Sequence, residues 1–184
     1  MADFFTEISD AHRSFIAKQP VFFVATAAAD ARINLSPKGM DSFRILSPHS
    51  VAYLDVGGSG NETQAHLNAD GRITIMFCAF DQPPLIMRLY GHGRSVMPQD
   101  TEWDVLAPHF DILPGTRQIF VIVVDSLQTS CGWGVPFMQF ERERETLMKF
   151  HAQNETAERL AKISKRTTSI DGLPVRQQDR FPAR

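Results

Sequence analysis

Cysteine is scarce in this sequence, with only Cys78 and Cys131 among its 184 residues. Two cysteines are too few for the disulfide framework of a small secreted domain, and they suit a reducing compartment. Residues 1–7 are acidic and lack the basic and apolar regions of a signal peptide. No apolar run approaches the ~20 residues that a membrane-spanning helix needs. These absences predict a cytoplasmic protein with no membrane partner.

A surplus of positive charge is also missing. Lysine and arginine number 19 against 21 acidic residues, which gives a formal net charge of −2. Proteins that bind nucleic acids usually carry a basic surface, so no nucleic-acid partner is expected. Hydrophobic residues make up 43% of the chain and charged residues 22%. These values are ordinary for a globular protein, and the length favours one domain with a real hydrophobic core.

Metal-binding and hydrolytic motifs are absent too. The histidines, at positions 12, 49, 66, 92, 109 and 151, form neither a close pair nor a His-Glu-x-x-His motif, so no metal site is predicted. No spacing indicates a Ser-His-Asp triad or a pair of catalytic carboxylates, and the catalytic residues stay unknown. A haem needs only one axial histidine and stays open as a ligand, with His66 and His92 as candidates.

The most distinctive stretch that is present is the segment 57–63, Gly-Gly-Ser-Gly-Asn-Glu-Thr. It follows an apolar run at 51–56 and precedes a helical pattern at 62–69, which predicts a strand, a tight turn and a helix. Three glycines within four positions let the backbone approach a ligand closely. The free N–H groups at the start of the helix favour an anion such as a phosphate.

Two interpretations of this segment stay open. Ser59 and Glu62 have the spacing of a capping box, in which each side chain bonds to the other residue's backbone at a helix start. The segment also lacks the Gly-Lys-Ser/Thr ending of a P-loop. A second segment, 34–39, ends a predicted strand with Lys38 and Gly39. This lysine favours a phosphate site.

Alternating and apolar segments predict six or seven antiparallel strands, within 21–26, 32–36, 42–46, 50–56, 72–80, 85–96 and 117–127. Helices are predicted at 3–19, 62–69, 98–110, 141–153 and 155–165. Pro37 is expected at an edge, a bulge or a strand end, so that the second strand breaks there, and the run 119–124 is expected to be buried on both faces. This order favours a small β-barrel with peripheral helices over a doubly wound sheet. We expect a barrel domain at 1–140, with C-terminal helices and an extended tail at 141–184 packed on it.

One predicted strand has a polar face. Arg88, Tyr90, His92 and Arg94 alternate with apolar or small residues along 85–96. Such a row is typical of a solvent-exposed face, of a polar cavity or of a subunit interface, and the pattern does not separate these.

The paired segments 36–41, Ser-Pro-Lys-Gly-Met-Asp, and 54–63, Leu-Asp-Val-Gly-Gly-Ser-Gly-Asn-Glu-Thr, resemble the pyridoxamine 5′-phosphate oxidase-related, FMN-binding split-barrel family. The segments 130–136, Ser-Cys-Gly-Trp-Gly-Val-Pro, and 168–174, Thr-Ser-Ile-Asp-Gly-Leu-Pro, resemble one branch of it. The resemblance covers nearly the whole chain. It implies a mainly β fold with peripheral helices, a six-stranded antiparallel split β-barrel, and a homodimer that holds the flavin between its subunits.

The resemblance also implies how the cofactor is bound. In the oxidases, a lysine followed by glycine at a strand end binds the FMN phosphate, and Lys38 and Gly39 match this pattern. The segment 61–63, Asn-Glu-Thr, stands where the oxidases carry Ser-Arg-Lys, so phosphate affinity would come from Lys38, hydroxyl and backbone N–H groups, helped by Arg88 or Arg94. Trp133 could cover the flavin ring. The expected cofactor-binding residues are Ser36, Lys38, Gly39, Ser59, Gly60, Asn61, Thr63, Arg88 and Trp133.

FMN is expected rather than FAD, because one anion site is visible and no Gly-x-Gly-x-x-Gly follows a strand. The resemblance implies an FMN-dependent oxidoreductase, whose flavin is reduced by a nicotinamide cofactor or a small substrate. The Arg-x-His substrate motif of the oxidases has no match here, so a substrate other than pyridoxamine phosphate is expected. The alternative is a flavin- or haem-binding split-barrel protein with no turnover.

Overall fold

The computed structural model describes residues 2–183. They form an eight-stranded antiparallel sheet with short helices around it. The strands are β1 (Asp3–Phe5), β2 (Phe22–Thr26), β3 (Asn34–Lys38), β4 (Phe43–Ser47), β5 (Ser50–Val56), β6 (Arg72–Cys78), β7 (Ile86–Val96) and β8 (Thr116–Ser130). The helices are α1 (Asp10–Ile16), α2 (Glu62–Ala69), α3 (Trp103–Leu106), α4 (Thr146–Asn154) and α5 (Ala157–Ile163), with a 3₁₀ turn at Ala107–His109.

The sheet follows the order β3-β2-β6-β7-β8-β5-β4, and β1 adds to β8. Alternate side chains fill the space that the sheet encloses, because successive residues of a strand point to opposite faces. Val24, Ile75, Phe77, Leu89 and Phe120 are among the residues buried there. The mainly β class is confirmed, and each predicted strand segment overlaps a strand. β1 is a further strand that was not predicted.

A second apolar cluster lies on the outer side of β5 and β8, under α3. Ala52, Leu54 and Ile119 pack there against Trp103 and Leu106. α3 is shorter than the predicted helix 98–110. Pro108 has no N–H group and cannot continue an α-helix, so the chain passes into the 3₁₀ turn. Because the second apolar cluster covers its outer side, β5 is buried on both faces.

The N-terminal helix is also shorter than predicted. Ser9 and His12 cap α1 reciprocally: Ser9 Oγ accepts from the His12 N–H over 3.4 Å, and the Ser9 N–H donates to His12 Nδ1 over 3.1 Å. The cap starts the helix at Asp10 and leaves Asp3–Phe5 free to pair with β8. The prediction of a helix from residue 3 is therefore wrong at its start.

Pro37 lies inside β3, which continues to Lys38. The expected break of the strand at Pro37 is wrong, whereas the edge position, one of the three expected for this proline, is confirmed. β3 bonds to β2 alone, and an edge strand needs backbone donors on one side only, so a proline is tolerated there.

The run 119–124 was predicted to be buried on both faces, and this prediction is wrong at Val123. Val123 is 57% exposed, whereas Ile122 and Val124 on either side are buried. The second apolar cluster includes Ile119 and Val121 but not Val123, so the outer face of β8 becomes exposed where that cover ends.

The C-terminal part begins with a segment that is neither helix nor strand, and α4 starts only at Thr146. After α5 the chain runs without a helix or a named strand. We call residues 164–183 the C-terminal strap. None of the helices within residues 2–183 combines the length and the apolarity that crossing a membrane requires.

Candidate functional site

Asp55 on β5 is a carboxylate that is only 2% exposed and is held by three side chains. Lys38 Nζ lies 3.0 Å from Oδ1, Arg117 Nη2 donates to Oδ2 over 2.7 Å, and Gln118 Nε2 donates to Oδ2 over 2.8 Å. Burial by itself raises the pKa of Asp55, but the charges of Arg117 and Lys38 outweigh burial and hold that pKa well below its ordinary value. Asp55 is therefore an anion that fixes two cations.

Three strands bring this cluster together. Lys38 ends β3, Asp55 lies near the end of β5, and Arg117 and Gln118 lie near the start of β8. Because β5 and β8 are antiparallel, the end of one meets the start of the other, and the register pairs Asp55 with Gln118. The segment that follows β5 consequently emerges beside both cations.

That segment, residues 57–61, is named the glycine loop here, and it leads into α2. Asn61 is the N-cap residue, but its side chain does not cap α2, and its Oδ1 accepts from Gln118 Nε2 over 2.9 Å. The capping box of Ser59 and Glu62, one of the two interpretations of this segment, does not form, because the Glu62 carboxylate accepts from the Ile170 N–H over 3.2 Å. Within residues 2–183 no side chain therefore caps the first N–H groups of α2, which can donate to an anion.

A second polar cluster lies on the Lys38 side of α2. Asn34 Nδ2 donates to Thr63 Oγ1 over 3.1 Å and to Thr26 Oγ1 over 3.3 Å, and Ser36 Oγ donates to Asn34 Oδ1 over 3.3 Å. Ser36 and Lys38 share one face of β3, because side chains alternate along a strand. The cluster thus places the hydroxyl groups of Ser36 and Thr63 on the side of α2 from which Lys38 approaches.

Two buried polar atoms of this region, Tyr53 Oη and His66 Nε2, have no hydrogen bond of normal geometry among the described residues, although the Thr63 side chain interacts with the Tyr53 hydroxyl. Lys38 Nζ lies 5.9 Å from the centre of the Tyr53 ring. Burial and the charge of Asp55 raise the pKa of Tyr53 well above its ordinary value, so its hydroxyl is neutral. Native proteins bury few unsatisfied polar groups, and such groups are typical of functional sites.

A cavity of about 1000 Å³ lies between the glycine loop and the C-terminal part of the chain. α4, α5 and the C-terminal strap line its other sides. His151 Nε2 donates to the Gly57 carbonyl over 2.8 Å, and Arg166 Nη1 donates to the Ser59 carbonyl over 2.7 Å. These bonds join the glycine loop to α4 and to the strap.

Most of the predicted cofactor-binding residues lie within, or next to, the segments that meet at the start of α2. Ser59, Gly60 and Asn61 line the cavity, whereas Lys38 and its neighbouring hydroxyl groups do not. Arg117 lines the cavity as well, and Asp55 links the two sides because it binds both Lys38 and Arg117. The residues brought together are Ser36, Lys38, Gly39, Ser59, Gly60, Asn61 and Thr63.

Arg88 and Trp133 are not brought to this place within one chain. The register aligns Arg88 with Met76, Phe23 and Pro37 across β7, β6, β2 and β3, so it points to the face opposite Lys38. Its Nη1 donates to Ser130 Oγ over 3.4 Å. Trp133 is 82% exposed. Their part in cofactor binding remains a prediction.

Sequence reasoning missed Asp55, Arg117 and Gln118, which hold the cluster together. A signal was present, since Asp55 is the one charged residue in the run 50–56 that forms β5. A charge inside a buried strand needs a partner. Nothing in the sequence, however, shows which cation that partner is.

Residues 8–131 match the family model of pyridoxamine 5′-phosphate oxidase. The chain belongs to this family. It is 40% identical over 151 residues to the pyridoxamine 5′-phosphate oxidase family protein ustO of Aspergillus flavus, in an alignment that covers 79% of this chain and 61% of ustO. The chain thus spans 61% of the length of this curated relative.

Solved structures of other proteins share the fold. A variant of HupZ from Group A Streptococcus superposes with a TM-score of 0.54 at 18% identity, over 67% of this chain and 99% of HupZ. A putative pyridoxamine 5′-phosphate oxidase from Lactobacillus delbrueckii gives a TM-score of 0.53 at 14% identity, over 67% and 94% of the two chains. The split-barrel architecture expected for this family is confirmed, with eight strands in the described residues where six were expected.

Proposed function

We propose that this chain is a cytoplasmic FMN-binding flavoprotein and works as an FMN-dependent oxidoreductase. One observation carries the proposal: Lys38 and Arg117 flank a single buried carboxylate beside the uncapped N-terminus of α2. The two cations and one anion keep a net positive charge. A phosphate monoester suits this place because it is anionic and has several acceptor oxygens for N–H donors.

The donors on the Lys38 side fit one phosphate group. The Lys38 ammonium has three N–H donors, of which Asp55 accepts one, and 23% of its side chain is exposed. The hydroxyl groups of Ser36 and Thr63 lie on the same side of α2. This set supports FMN, which has one phosphate, over FAD, which has two.

A bound flavin would supply the hydride and electron transfer chemistry, while the chain supplies position and electrostatics. Arg88 and Trp133 lie away from the Lys38 cluster of their own chain. In a homodimer with the flavin between the subunits, a second copy can bring these residue types to the ring. Phe137 and Met138, which follow Trp133, are 73% and 62% exposed, and exposed apolar surface of this kind is typical of an interface.

The substrate is expected to be a nicotinamide cofactor or another small anionic molecule. The half-buried residues Arg88 and Tyr90 lie on the outer face of β7, where Tyr90 Oη donates to Gln128 Oε1 over 2.8 Å. A guanidinium and a fixed phenol can orient an anion near a flavin. The missing Arg-x-His motif supports a substrate other than pyridoxamine phosphate.

The absorption spectrum of the purified protein, before and after addition of FMN, tests the cofactor. The expected result is a flavin band that persists through gel filtration at the elution volume of a dimer. A Soret band would indicate that the protein binds haem in place of FMN. A spectrum without either band after FMN addition would reject the flavin proposal.

A further inference from the structure

The cavity beside the glycine loop is lined by positive charges, of which the described residues 2–183 neutralise only a part. Six lysine and arginine side chains line it. Arg117 and Arg176 pair with Asp55 and Asp100, and within residues 2–183 none of the other four forms an ion pair with an acidic side chain. Glu62 is the one acidic residue among the described lining residues, and it accepts from the Ile170 N–H. The four unpaired cations are Arg159, Lys162, Lys165 and Arg166.

Arg159 is the most constrained of them. Its guanidinium lies 4.8 Å from the centre of the Phe150 ring, a cation–π contact that orients it. Its Nε is buried and has no hydrogen-bond partner among the described residues. Burial lowers the pKa of His151, and the charges of Arg159 and Arg117 lower it further. The guanidinium groups of Arg159 and Arg117 therefore both lie close enough to affect His151, which bonds to the Gly57 carbonyl at the cavity wall.

The spacing of the cations indicates the shape of a ligand. Arg159 and Lys162 are three residues apart on α5, and residues at this spacing are neighbours on one helix face, about 5–6 Å apart. Two adjacent cations match two linked phosphate groups better than one. The cavity also has apolar walls that suit a heterocyclic ring, at Leu147, Ile163 and Phe181.

We propose that this cavity binds the diphosphate of a nucleotide. The cavity adjoins the place proposed for the flavin phosphate, since Arg117 and the glycine loop line it, but Ser36, Lys38 and Thr63 do not. The four unpaired cations belong to α5 and the C-terminal strap, which the flavin proposal does not use. The inference consequently does not depend on the flavin proposal. Charge supplies much of the binding, so the affinity falls as salt is added.

Calorimetric titration of ADP into the full chain, with whatever flavin it retains, tests the proposal. The wild-type chain is expected to bind ADP more tightly than AMP. The double variant Arg159→Gln with Lys162→Gln is expected to bind ADP at least about tenfold more weakly, since each charge-assisted hydrogen bond contributes on this scale. The flavin absorbance is followed in the same cell.

The matched control is Arg13→Gln with Lys149→Gln, which removes the same two charges from residues that do not line the cavity. It is expected to change ADP affinity less than about twofold. Circular dichroism melts of both double variants establish that they fold, and a salt titration of the wild type measures the charge dependence without any substitution. Equal ADP affinity in the two double variants, no binding by the wild type, no weakening by salt, or release of FMN by ADP would each overturn the proposal.

Discussion

A Cβ atom on Gly115 would lie 2.2 Å from the imidazole ring of His151. Gly115 also has a φ of 78°, in the left-handed region that favours glycine. Its carbonyl accepts from the Gly57 N–H over 2.9 Å, and its N–H donates to Glu155 Oε1 over 2.5 Å. One glycine therefore seats α4 against both the glycine loop and the turn before β8.

Replacing Gly115 by alanine is expected to destabilise the protein by about 2 kcal/mol, since overpacking and a positive φ both oppose a side chain. Urea unfolding measures the change. Gly134→Ala is the matched control, because a Cβ there meets nothing within 4 Å and its φ is not positive. Equal midpoints for the two variants would show that His151 moves aside without cost.

His151 is expected to make stability depend on pH. Burial lowers its pKa below the ordinary value of 6.5, and the nearby arginines add to this effect. The folded state binds this proton less readily than the unfolded state, so the stability is present above 6.5 and is lost as the pH falls toward the lowered pKa. Unfolding free energies from about pH 8 to 5 should fall in the wild type. A His151→Gln variant with the same slope would contradict the assignment.

Lys38→Ala is expected to weaken FMN binding by about 1.5–3 kcal/mol, the scale of a hydrogen bond to a charged group. Fluorescence titration of the flavin-free protein measures the dissociation constant. Lys18→Ala serves as the control, because Lys18 is exposed and has the same charge. An unchanged dissociation constant in Lys38→Ala would remove Lys38 from the phosphate site.

Asp55→Asn leaves Lys38 and Arg117 without their shared carboxylate. We expect a loss of about 3 kcal/mol in unfolding free energy at neutral pH, as for other buried ion pairs with one partner removed. The carboxylate has a depressed pKa, so its stabilisation is present above the unfolded value of about 3.9 and is lost below it. The difference between variant and wild type should therefore shrink below about pH 4. A difference that is the same at pH 7 and pH 3 would show that packing, not charge, is responsible.

The sequence predicted those features of the fold and the site that depend on residues close together in the chain. The alternation along β2, β6 and β7 follows from one face being buried, so it is visible in the sequence. β1 was missed because three residues with Phe4 and Phe5 side by side fit a helix or an added strand equally well, and Ser9 decides between them. Lys38 and the glycine loop were found because lysine and glycine carry their own local signature.

Contacts between distant segments were not predictable in this way. Asp55 meets Arg117 only through the register of β5 on β8, and that register depends on the whole barrel. The capping box failed for the same reason, because the Glu62 carboxylate has a competing donor in Ile170 of the C-terminal strap. The exposure of Trp133 was equally hidden, since flanking glycines allow both a packed and an open loop.

The proposed activity predicts that an electron donor bleaches the flavin of the FMN-loaded protein. Anaerobic mixing with NADH, NADPH and pyridoxine phosphate, followed at the flavin band, measures the rate against that of free FMN. An oxidoreductase is expected to accelerate reduction by at least one donor, because a site that fixes both flavin and donor removes the entropic cost of bringing them together. Arg88→Gln should slow the reaction if this guanidinium orients an anionic donor, whereas Arg13→Gln, in α1, should not. Rates equal to that of free FMN for every donor would exclude these candidates and favour a flavin-binding protein without turnover of its own.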